Sequence, residues 1–75
     1  MNTPRYEVIF EGDNATGFSA YAPDLPGCIA TGRTLNETRE QMRGAIEFHL
    51  RGLREDGDPI PEPSHAAAVE LLEVA

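Results

Sequence analysis

The chain has 75 residues, 40% of them hydrophobic, and a formal net charge of −7 from 13 acidic residues against six arginines and no lysine. That length holds one domain, which buries only about 60% of its unfolded surface, so a second chain is expected to support it. One cysteine excludes an internal disulfide, and the wide spacing of Cys28, His49 and His65 lacks the paired ligands of structural zinc. The acidic balance speaks against binding nucleic-acid phosphates and favours a basic protein partner.

Arg5 to Glu11 reads RYEVIFE, in which Tyr6, Val8 and Phe10 alternate against Arg5, Glu7 and Glu11. This is the pattern of a half-buried strand, broken only by Ile9. EGDNATG follows as a hairpin loop, rich in residues that tolerate positive φ. A second, antiparallel strand is expected over 17–22, where Phe18, Ala20 and Ala22 alternate against Ser19 and Tyr21. Pro23 ends it, because proline cannot donate to a ladder. CIAT, 28–31, reads as a short third strand.

The helix is expected over 35–56. Thr34 followed by Glu37 forms a capping box, which satisfies free amides at the helix start. Leu35, Met42, Ile46, Leu50 and Leu53 fall on one stripe, edged by Thr38, Ala45 and His49. Asp56-Gly57 is the stop signal. Residues 58–64 contain PIPEP, a stiff extended connector. For the tail, HAAAVELLEVA, propensity favours helix, while the alternation of Glu70, Leu72 and Val74 against Val69, Leu71 and Glu73 admits a short strand.

The reactive residue types do not assemble into a site by spacing. Cys28 lies among small apolar neighbours and reads as a buried, structural thiol. His49 is a boundary residue of the helix stripe. Glu7 and Glu11 share a strand face, and with Asp24 they could form a metal-dependent nuclease only if they converged, which nothing in the spacing requires. No catalytic, metal or cofactor site is therefore expected. The helix's outer side is more informative. Gly44, Phe48 and Gly52 recur every four residues nearly opposite the buried stripe, as on a surface that another chain approaches closely. Beside them Arg39, Arg43, Glu47, Arg51 and Glu55 form a ladder suited to i, i+4 ion pairs. MNTPRYEV lacks the basic start and apolar run of a secretory signal, and no stretch approaches the roughly 20 apolar residues of a membrane span. A cytoplasmic protein is expected, in keeping with the free thiol.

The run FSAYAPDLPGCIATG (18–32), then TLNE (34–37), then GLREDGDPIPEPS (52–64), resembles the HicB antitoxin family over nearly the whole chain. The resemblance implies a β-β-β-α-β domain with a partial ribonuclease-H-like arrangement, so the tail is read as a strand over 69–74. The expected fold is thus α+β: one domain, 1–75, with a three-stranded antiparallel meander (5–11, 17–22, 28–31), one long helix packed on it, and a fourth strand. The resemblance further implies binding to a small basic RNA-cleaving toxin of HicA type. The expected role is that of a homo-oligomeric antitoxin, dimer or tetramer, without enzymatic activity. Many relatives add a C-terminal DNA-binding module; the chain is expected to lack one and not to bind operators directly. An oligomeric domain without a toxin is the alternative. Candidate contacts with the toxin or another copy are Asp24, Gly44, Phe48, Gly52, Glu55, Asp56 and Asp58.

Overall fold

The computed structural model describes residues 4–65 and 68–74. The chain forms β1 (Ile9–Asp13), β2 (Gly17–Tyr21), β3 (Ile29–Gly32) and α1 (Leu35–Glu55), with the sheet in the order β1-β2-β3. Both ladders are antiparallel, as the meander predicts, with Phe10 opposite Ala20 and Ala20 opposite Ala30.

The first strand is shorter at its start than its alternation suggests. Ile9 pairs with Tyr21, so continuing the register would set Glu7 against Pro23, which has no N–H to give. Tyr6 and Val8 still pack against the core. At the other end β1 runs on to Asp13. Its carboxylate accepts bonds from the Ala15 and Thr16 amides and the Thr16 hydroxyl, at 2.8–2.9 Å, and so closes the hairpin.

The helix ends are those the sequence signals. The Thr34 hydroxyl accepts from the Glu37 amide at 3.0 Å, and Glu37 reaches back to the Arg33 amide at 3.4 Å. At the far end the Gly57 amide donates to Arg54 and the Asp58 amide to Leu53, the paired bonds of a Schellman stop. Of the buried stripe, Thr38, Met42 and Leu50 are fully enclosed, whereas Leu35 stays exposed. The core also contains Ala20, Ala22, Leu25 and Cys28.

Small residues on the inner sheet face set where the helix lies. It packs over β3 and β2, whose inward positions include Ala20, Ala30 and Gly32. A Cβ on Gly32 would come within 2.6 Å of the Thr38 hydroxyl and 2.8 Å of its backbone nitrogen. Gly32→Ala is therefore expected to push the helix off the sheet and destabilise the fold by about 1–3 kcal/mol, read as a lower midpoint in urea.

The expected fourth strand is not formed. Residues 68–74 have no regular pairing, and Val69, Leu71, Leu72 and Val74 are between 76% and 102% exposed. A strand gains stability only from an edge it bonds to, and alternation in the sequence does not supply one.

Candidate functional site

The corner between β2 and β3 is two successive turns. The Leu25 amide donates to the Ala22 carbonyl and the Cys28 amide to the Leu25 carbonyl, each at 3.0 Å. Each turn has proline at its second position, and Gly27 takes φ +84° where the second turn needs a left-handed residue. Between them Leu25 is driven into the core and fully buried. Asp24 stays at the rim, where its carboxylate accepts from the Ser64 amide at 2.9 Å and the Ser64 hydroxyl at 2.7 Å. The Tyr6 hydroxyl donates to the Pro61 carbonyl, so the proline-rich connector is tied down at two points.

Asp24, expected as a partner contact, thus holds the molecule's own connector. The bonds from Ser64, backbone first and then hydroxyl, keep its carboxyl below the ordinary value of 3.8. A lowered folded-state value contributes stability that is fully present above the ordinary value and is lost as pH falls through the lowered one. Acidification through that lowered value, below the ordinary 3.8, is expected to release the connector. Asp24→Ala should do the same at neutral pH, raising exchange of the Ser64 amide to that of an unprotected one.

On the helix, Gly44, Phe48 and Gly52 lie on the outer side. Phe48 is 75% exposed, and a Cβ on Gly44 or Gly52 would meet nothing within 4 Å. Glu55 and Asp56 continue this strip, and Asp58 follows it; all three are exposed. The strip combines a bare aromatic ring, two shallow positions and an acidic end. The neighbouring charge ladder does not form as expected. Among the described residues the helix's ion pair is Arg43–Glu40, three apart, at 3.1 Å and exposed.

Two further surfaces emerge. Ile9, Tyr21 and Ile29 are in register across the three strands and exposed together on the sheet face away from the helix. The break in alternation at Ile9 was the sequence signal for this row. The second surface is a groove of about 810 Å³ beside β1. Because the helix sits over β2 and β3, the β1 side of the sheet is left uncovered. Tyr6, Val8, Phe10, Met42, Ile46 and Leu50 line the groove, and so do Arg5, Arg39, Arg43, Arg51 and Arg54, five of the six arginines, with Glu47 as the one acid among them. Arg39 lies 5.8 Å above the centre of the Phe10 ring.

The reactive candidates stay apart. Cys28 is buried, and burial pushes its thiol pKa up, away from the thiolate a nucleophile needs. Asp24 is engaged with Ser64, Glu7 lies 3.8 Å from His65, and Glu11 is exposed on β1. Among the described residues no three or more His, Cys, Asp or Glu side chains converge as a metal ion would require. Among them also, no helix is long and apolar enough to cross a membrane.

Comparison with known proteins fits this picture of a small domain whose notable features are surfaces. Residues 6–72 match the family model for the HicB-like antitoxin of bacterial toxin–antitoxin systems. An uncharacterised 14.9 kDa protein from the rep–hol intergenic region of Haemophilus phage HP1 is 37% identical over 57 residues, covering 76% of this chain and 42% of that protein. The chain therefore spans less than half of that relative's length. UPF0150 proteins of Synechocystis and Thermoplasma acidophilum are 32% and 30% identical over 57 residues, 76% of this chain and 72% and 83% of theirs. With the family's pattern running through the turns, the helix and the pinned connector, the chain belongs to the HicB-like antitoxin family.

Proposed function

We propose that the chain is the antitoxin of a type II toxin–antitoxin pair, binding a small basic RNA-cleaving toxin of HicA type in the cytoplasm and blocking its access to RNA. It acts by binding, without chemistry of its own or direct contact with DNA. It also self-associates, and its sheet is that of a partial ribonuclease-H-like domain. The observation that carries this reading is the outer helix strip, where Phe48 is bare and leads into Glu55, Asp56 and Asp58. An exposed aromatic with an acidic border suits a partner that is basic and partly apolar. The arginine-lined groove would repel such a partner, which favours the strip for the toxin.

The test is co-expression with the product of the neighbouring reading frame, where that product is small and basic. Relief of growth arrest and co-purification support the proposal. A purified chain that neither binds nor relieves that toxin would be an orphan domain. Ribonuclease activity of the purified chain with Mg²⁺ or Mn²⁺, abolished by alanine at Glu7, Glu11 and Asp24, would instead make it an enzyme.

A further inference from the structure

The groove and the tail are complementary, and both are uncovered. Five arginines and a single acid, Glu47, surround a floor that includes Val8, Phe10, Met42, Ile46 and Leu50, in a chain whose net charge is −7. An acidic, apolar segment is the chemistry this groove fits, and Val69–Val74, with sequence VELLEV, is such a segment. Its four apolar side chains are in solvent, and none of its described residues lines the chain's own groove. The radius of gyration of 14.2 Å exceeds the value of about 11 Å expected for a compact chain of this length, as a projecting tail would make it.

The dimensions agree as well. From Arg39 to Arg54 the helix rises about 22 Å, and residues 68 to 74, when extended, span about 20 Å. Arg43 and Arg51 are about 12 Å apart along the helix; in an extended strand Glu70 and Glu73 point to opposite faces, so one of the two meets this arginine row. The outer edge of β1 is unpaired, so an extended segment lying there could also bond to its backbone.

We infer that residues 68–74 of one copy dock in the arginine-rimmed groove of a second copy, beside β1, and that the exchange is mutual. Two copies then cover both grooves and both tails, closing a two-fold dimer with no surface left for further addition at this site. The exchange supplies the support from another chain that so short a domain requires. This inference rests on the self-association proposed above and is independent of toxin binding.

Charge reversal with complementation tests it on the full-length chain. Glu70→Arg/Glu73→Arg and Arg43→Glu/Arg51→Glu should each convert the dimer to monomer by light scattering, with helical circular dichroism retained. Mixing the two variants should restore a dimer, because each reversed tail then meets a reversed groove. If each variant alone is altered but mixing restores nothing, while all four changes in one chain restore wild-type behaviour, the tail folds onto its own groove and the proposal is overturned. Dimerisation that is indifferent to both reversals overturns it too, leaving self-association intact. A wild-type chain that is monomeric at every concentration overturns both.

Discussion

Leu25→Ala is expected to cost about 2–5 kcal/mol, the range for deleting a large buried aliphatic side chain whose surroundings cannot close in. Leu25 is fully buried and held by turns on both sides, the Ala22–Leu25 and Leu25–Cys28 bonds, so its backbone cannot follow the missing methyls inward. A 75-residue domain has only about 4–11 kcal/mol in total, so a large share of its stability, about a fifth at the least, rests on this residue. The melting midpoint should fall by on the order of 10 °C or more. A loss below about 1 kcal/mol in urea unfolding would mean that Leu25 is not a core plug. The PDLPG motif, on this account, owes its form to the two turns that insert one side chain into the core.

Phe48→Glu is expected to weaken toxin binding by about 30-fold or more, the effect of removing one hot-spot aromatic, while leaving the fold unchanged. Phe48 is 75% exposed on a helix whose buried stripe is on the other side, so its removal leaves no cavity. Thermal unfolding should stay within about 0.5 kcal/mol of the parent. The loss should appear mainly as faster dissociation, because rupture of a desolvated contact sets the off-rate. Reversing Glu55, Asp56 and Asp58 should act differently, slowing association and weakening its salt dependence. These positions tolerate the change, since Asp56 caps the helix through its backbone amide and positive charge suits a helix C-terminus. Affinity for the toxin within threefold of wild type in Phe48→Glu would remove the strip as its docking surface.

The two proposed interfaces divide the helix by charge. One flank carries Arg39, Arg43, Arg51 and Arg54, with Glu47 among them, above the groove, and the outer strip carries Phe48 and the acidic end. A basic partner and an acidic tail are thereby directed to different sides of the same element. An antitoxin that pairs through one side keeps the other free for its toxin.

The sequence made local structure legible because local structure has local causes. Alternation located the three strands, Thr34 and Glu37 located the helix start, and Asp56-Gly57 its end, each within a few residues. The turn residues Pro23, Pro26 and Gly27 marked a corner, and the same run carried the family resemblance. Even the strand boundary that moved had a cause outside its own segment, in the pairing of Glu7 with Pro23 that β1 cannot make.

Contacts between distant residues were not legible in this way. Asp24 read as a contact for another chain because its bond to Ser64, 40 positions away, has no local signal. Arg39, Arg43 and Arg51 read as part of a helix ladder and Arg5 as an outward strand residue, until the helix settled over β2 and β3 and gathered them with Arg54 beside one groove. Ile9, Tyr21 and Ile29 became a row only through the strand register. The tail went furthest astray, because six alternating residues form a strand only where an edge receives them. Propensity and pattern act over a turn or a strand pair, so the sequence alone specified the elements and the family. Which charges converge, which apolar rows stay bare and what the tail can reach depend on how those elements pack, and the packing brought them to light.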